Sequence, residues 1–152
     1  MTIRRALAKQ LLDEAVAARP NEAGGVLLGY YTPDMRVAFV TEILQPKEDT
    51  RSGLGWFLRG VAGLAKVLIE RWQRPNRTYY LGEWHSHPGG DTFPSGRDGE
   101  SMRAIATSPK EQCPEPVLVI VGGTVQGSNE IGVWVFTRTG EMLRLRGGPN
   151  ED

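Results

Sequence analysis

Cysteine is nearly missing from this 152-residue sequence, and Cys113 is the sole example. A lone thiol excludes an internal disulfide and a cysteine-rich zinc cage, and it fits a reducing compartment. Net charge is missing too. Eighteen basic residues balance eighteen acidic ones, so no global field draws the chain to nucleic acid or to an anionic membrane, and a peptide or protein surface is the expected partner. No apolar run reaches membrane-spanning length. The opening stretch MTIRRALAKQLLDEAVAARP carries Asp13 and Glu14 inside its apolar part, unlike a signal peptide. The chain therefore reads as cytoplasmic. Its length suits one domain and is too short for a barrel of eight strand-helix units.

Histidine is also scarce, with two in the chain. Both fall in one stretch, GEWHSHPGGDTFPSGRD, as His85 and His87. What surrounds them follows from periodicity. Ile3, Leu7, Leu11 and Ala15 recur every four residues, which predicts an amphipathic helix over 3–18, ended before Pro20. GGVLLGYYT and RVAFVTEIL, separated around Pro33 and Asp34, read as an antiparallel hairpin. QPKEDTRSGLG, residues 45–55, has no apolar period and reads as a long connection able to clamp a substrate. Helical spacing of Val61, Leu64, Ala65, Leu68 and Trp72 predicts a second core helix over 56–72, closed by Pro75.

TYYLGEWHSH reads as a strand, and a short helix follows Pro94 as far as Thr107. PVLVIVGGT is a continuous apolar run, expected at the sheet centre with both faces buried. GVWVFTRTG and EMLRLR close the chain as a hairpin around Thr139 and Gly140. Helix, two strands, helix, strand, short helix and three strands make an α/β sandwich with a mixed central sheet flanked by helices. Residues 1–146 form the expected domain, and 147–152 a flexible tail.

Alternate residues of a strand face the same side, so His85 and His87 project together and can share one metal ion. Asp98 lies one turn from Ser95 on the short helix, on the same side. Two imidazoles and a carboxylate form a three-ligand zinc site that leaves a fourth tetrahedral position open, as hydrolytic sites require. Zinc at such a site lowers the pKa of water from near 16 to roughly 7 and polarises a carbonyl. A nearby carboxylate must then move the proton to the leaving amine. Glu22 in NEAGGVLLG is one candidate. Glu83, on the same strand face as the histidines, is the other, and spacing does not choose between them. Ser95 suits an oxyanion donor, and equally a helix N-cap with Asp98 in the first turn.

HSH, the seven residues PGGDTFP, then Ser95-x-x-Asp98, with Glu22 upstream in E-x-G-G-x-L-L-G, resemble the JAMM (MPN-plus, JAB) zinc metallopeptidases. The resemblance covers most of the chain and implies the JAB/MPN fold, an α/β sandwich of the cytidine-deaminase-like kind. It implies one zinc per chain on His85, His87 and Asp98, Glu22 as general acid/base in preference to Glu83, and Ser95 steadying the intermediate. YYLGEWHSHPGG followed by PSGRD is most similar to small prokaryotic JAB peptidases found beside E1-like and E2-like proteins. These resemble deubiquitinases and cut after a ubiquitin-like C-terminus or after an antiphage signalling enzyme conjugated by such a system. The bound tail is then expected to lie extended. Trimming of a ThiS-type sulfur-carrier protein and a metal-free MPN scaffold are the alternatives.

Other features have plainer readings. Trp84 faces away from the histidines and reads as core. Cys113 reads as a loop residue, and Arg71, Arg74 and Arg77 as a solvated helix end. LRLRGG at residues 143–148 matches the ubiquitin tail in letters; its alternation suits an edge strand, so the match reads as a coincidence, with self-processing after Gly148 the alternative.

Overall fold

The structure, a computed structural model, describes residues 1–45, 49–54, 56–58, 60–123 and 129–146, the strand at 56–58 by its backbone alone. The expected tail at 147–152, the last two residues of LRLRGG and parts of the 45–55 connection lie outside the described residues. The chain order is β1 (Thr2–Ile3), α1 (Arg5–Ala18), β2 (Gly24–Tyr31), β3 (Ala38–Leu44), β4 (Arg51–Gly53), β5 (Trp56–Leu58), α2 (Leu64–Trp72), β6 (Tyr79–Pro88), α3 (Gly96–Thr107), β7 (Val117–Gly123), β8 (Asn129–Phe136) and β9 (Met142–Leu145). Seven strands form one sheet in the order β1-β3-β2-β6-β7-β8-β9, and β4 pairs with β5 apart from it. β1 runs parallel to β3 and β6 parallel to β7, while the remaining pairs are antiparallel. The sheet is therefore mixed, as expected.

Strand alternation builds the two faces. Val117, Val119 and Val121 of β7 pack with Trp84, Leu27 and the Leu11 and Ala15 face of α1. Leu118 and Ile120 turn the other way, onto Met102 and Ala106 of α3, with Trp134 and Phe136. On that second face a smaller cluster joins Val26, Leu28 and Leu44 to Leu64 of α2. Cross-strand neighbours share a face, and Glu83 pairs with both Val26 and Leu118. β6 thus runs between the α2 and α3 clusters, with Glu83, His85 and His87 along the seam.

Several expectations need correction. The first helix starts at Arg5, because Thr2 and Ile3 are extended and pair with Phe39 and Val40. The proposed 56–72 helix is confined to Leu64–Trp72; Trp56–Leu58 pairs with Arg51–Gly53, so the 45–55 connection contains a strand. Gly63, with φ +67°, precedes α2 in the left-handed region where glycine is unstrained, and the Asp49 carboxylate accepts from Val61 and Ala62 N–H (2.9 and 3.1 Å). Leu64 is the buried residue of α2, and Ile69 and Trp72 are more than half and half exposed, so this is a surface helix rather than a core one.

The arginines at its end are not simply solvated. Arg71 donates from Nε and Nη2 to the two Glu42 carboxylate oxygens, both at 2.7 Å, and the Arg77 guanidinium lies 5.2 Å from the Trp72 ring centroid. The Arg71 hydrogen bonds, outweighing partial burial, hold the Glu42 carboxyl below its ordinary 4.5. A depressed carboxyl stabilises the fold above its unfolded pKa, and that contribution is lost as pH falls through the folded value. Arg71→Ala should therefore lower stability by about 1 kcal/mol near neutrality. Denaturant titrations should show the deficit shrinking as the pH is taken below 4.5. A deficit unchanged into acid would assign it to lost packing instead. Trp84 is fully buried, as expected of core. Cys113 lies in the connection between α3 and β7, as expected, and is buried there; burial pushes its thiol up to about 12. Among the described residues, no helix is long and apolar enough to cross a membrane.

Candidate metal centre

The two histidines emerge side by side from β6, ring centroids 5.0 Å apart. Ser86 between them turns to the opposite face, where its Oγ accepts from Ala23 N and its own N donates to Ala23 O, both at 2.8 Å. These bonds carry the β2–β6 ladder one residue beyond the Gly24–His85 pair. They bring the residue before Ala23, Glu22, to the histidine end of the sheet. Glu22 is 9% exposed, and its N–H donates to Gly53 O of β4 at 3.2 Å. Burial raises the Glu22 carboxyl above its ordinary value, against the opposing fields of His85 and His87. A carboxyl tuned upward in this way suits proton transfer near neutrality.

Asp98 arrives from the other side. Ser95 caps α3: its Oγ accepts from Asp98 N at 3.2 Å while its N–H donates to Asp98 Oδ2 at 2.6 Å. This reciprocal capping box fixes the aspartate at the third helical position. The same Oδ2 lies 3.3 Å from His85 Nε2 and 3.4 Å from His87 Nε2. Burial would push the Asp98 carboxyl up, yet the two imidazoles and Ser95 hold it well below the usual carboxylate range.

The donor set fits a zinc ion. One ligand atom from each of His85, His87 and Asp98 lies within 4.8 Å of the others, and two nitrogens with one carboxylate oxygen match a three-ligand site. His87 Nδ1 lies 3.2 Å from the Asp91 carbonyl. A carbonyl only accepts, so this contact is a hydrogen bond when Nδ1 carries the proton, the tautomer that leaves Nε2 available to a metal ion.

These three sequence-predicted residues therefore form one cluster, with Glu22 within electrostatic reach of all of them. Ser95 stands at the helix cap. Glu83 shares the face but lies lower on β6, accepting from Tyr80 Oη at 3.2 Å. Two contributors escaped the sequence reading. The Asp91 carbonyl and the Gly53 carbonyl both act through the backbone, which leaves no side-chain signature. Strand alternation does encode the facing of Ser86 between the histidines, but its bonds to Ala23 have no sequence signal.

A family model described as prokaryotic homologs of the JAB domain matches residues 4–137. The chain belongs to this JAB family. Two relatives are named CD-NTase/cGAS isopeptidase. One, from Enterobacter hormaechei subsp. hoffmannii (strain UCI 50), is 41% identical over 138 residues, covering 91% of this chain and 76% of the relative. The other, from Escherichia coli (strain TW11681), is 34% identical over 105 residues, covering 67% of this chain and 62% of its own length. Among solved structures, a JAB1/MPN domain protein from Archaeoglobus fulgidus superposes with a TM-score of 0.53 at 21% identity, covering 95% of this chain and 94% of that one. The solution structure of a Desulfitobacterium hafniense protein reaches 0.62 at 20% identity, covering 94% and 88%. The JAB/MPN fold expected from the motif is thus the fold of the chain.

Proposed function

We propose that this JAB-family protein is a zinc-dependent isopeptidase. In this reading it hydrolyses the amide that joins the C-terminus of a CD-NTase/cGAS-type enzyme to another protein, in a bacterial antiphage setting. The observation that carries the reading is the convergence of His85, His87 and Asp98 within 4.8 Å, beside a buried glutamate. A scaffold has no use for that arrangement. The shared isopeptidase name of the two relatives supports the substrate class.

Zinc held by these three residues would supply Lewis acidity toward the scissile carbonyl and would acidify water. Glu22 accepts the proton that water gives up as its oxygen adds to the carbonyl carbon. It returns that proton to the departing nitrogen as the C–N bond breaks, so that a carboxylic acid and an amine leave. A raised pKa helps the second half, because the protonated form persists closer to neutrality. In this reading the Ser95 hydroxyl, in the same helical turn as Asp98, donates to the developing oxyanion, a contact typically worth about 3 kcal/mol of barrier. Serving also as helix cap holds that hydroxyl in one place. The reading takes residues 1–146 as one domain and the cytoplasm as its compartment, which the single buried thiol supports.

The test is to incubate the protein with three substrates and weigh the products with and without a chelator. The substrates are a CD-NTase conjugate, a ubiquitin-like fusion and a ThiS-type precursor. Chelator-sensitive release of CD-NTase with an intact C-terminus is expected. Cleavage confined to the fusion or the precursor would reassign the substrate, and no release from any of them would overturn the isopeptidase.

A further inference from the structure

Ser86 is 2% exposed. It shares its face of β6 with Trp84 and pairs with Val121 of β7, both apolar and buried. A hydroxyl among such neighbours costs stability unless it is hydrogen-bonded. The Ser86 hydroxyl accepts from Ala23 N, and Ser86 N donates to Ala23 O, both at 2.8 Å. In a regular antiparallel pair the return bond runs from the N–H to the facing carbonyl; here the hydroxyl takes it. The regular β2–β6 register ends one residue earlier, at Gly24 and His85. Ser86 thus marks the point where the β2 chain leaves the ladder.

Immediately beyond that point is Glu22. The Ala23 N–H belongs to the planar peptide unit that begins at the Glu22 Cα, so the Ser86 hydroxyl grips the plane on one side of Glu22. The plane on the other side is held by Glu22 N, which donates to Gly53 O of β4 at 3.2 Å. Further back, the same connection is tied to β8, where Arg19 Nη2 donates to Asn129 Oδ1 at 2.7 Å. Asn21 N closes a turn onto Ala18 O at 3.0 Å. The backbone that carries Glu22 is therefore fixed from both directions, and the Ser86 tie comes from the strand that also carries His85 and His87.

We propose that Ser86 is a positioning residue for Glu22, its hydroxyl holding the Glu22–Ala23 peptide so that the carboxyl stands in register with the metal-binding histidines. The proposal rests on the peptidase reading above. Ser86 faces away from the histidines and touches no reacting atom; it acts through Glu22. Without the hydroxyl the peptide plane can turn toward another acceptor, and Glu22 turns with it. A shift of about 1 Å in a reacting group can cost roughly 10²-fold in rate.

Steady-state kinetics on whichever of the three substrates above the wild type cleaves test this, with zinc content and melting temperature measured on the same preparations. Ser86→Ala should lower kcat by about 10–100-fold, with KM within about threefold and zinc undiminished. Its melting temperature should fall, because the Ala23 N–H is left without its acceptor. Threonine and valine have nearly the same shape, so Ser86→Thr and Ser86→Val load the buried position equally and differ in the hydroxyl. Ser86→Thr should turn over at least about tenfold faster than Ser86→Val. In a Glu22→Gln background, Ser86→Ala should lower kcat by less than about twofold, since no proton carrier is left to misplace. Wild-type kcat in Ser86→Ala, equal turnover of the threonine and valine variants, multiplied losses in the double variant, or loss of zinc would each overturn the proposal while leaving the isopeptidase intact. So would failure of all three Ser86 variants to fold, which would make Ser86 a residue of stability alone. A wild type that cleaves none of the substrates would overturn both.

Discussion

Glu22→Gln should lower kcat by about 10²–10⁴-fold while the protein keeps its full complement of zinc. Glutamine preserves the shape of a side chain that is only 9% exposed, and it removes the ability to carry a proton. Glu22 is not among the three clustered ligands, so metal content should not move. Stability should hold or rise, because the carboxyl is raised by its own burial and a neutral amide avoids that desolvation cost. Kinetics, metal analysis and thermal denaturation on one preparation check all three parts. A kcat within tenfold of wild type would remove Glu22 as the proton carrier and turn attention to Glu83.

Asp98→Ala should abolish both stoichiometric zinc and turnover. The carboxylate has two separate tasks: one oxygen faces both imidazoles, and the same oxygen accepts from Ser95 N in the capping box. Loss of an outer hydrogen-bond partner typically weakens a metal by about 10–100-fold, and loss of a direct ligand should exceed that. Removing the cap should also destabilise the apoprotein by about 1 kcal/mol. Asp98→Asn separates the tasks, since an amide oxygen can still accept from Ser95 N but is a poor zinc ligand. The asparagine variant should melt near the wild-type apoprotein yet bind zinc weakly. Zinc titration and melting curves measure each effect. Wild-type zinc affinity in Asp98→Ala would sink the assigned ligand set.

The failed helix at 56–72 and the missed β1 have a common origin. Helical spacing is present from Val61 onward, but Trp56–Leu58 found a strand partner in Arg51–Gly53, and Ile3 found one in Val40. Short strands owe their existence to a neighbour, and a window of sequence does not contain that neighbour. Arg71 is similar: its partner Glu42 lies 29 residues away.

Local covalent geometry settled what the sequence alone determined. Alternation in a strand places His85 and His87 on one face and Trp84 on the other, three-residue helical spacing joins Ser95 to Asp98, and an unbroken apolar run buries β7 on both sides. Tertiary structure brought a second carboxylate to the histidines. Glu83 shares their strand face by alternation, whereas Glu22 comes within electrostatic reach of both through pairing of β2 with β6, where Ala23 bonds Ser86 across 63 residues of chain. Such register depends on how distant segments bury their faces together, and no local period encodes it.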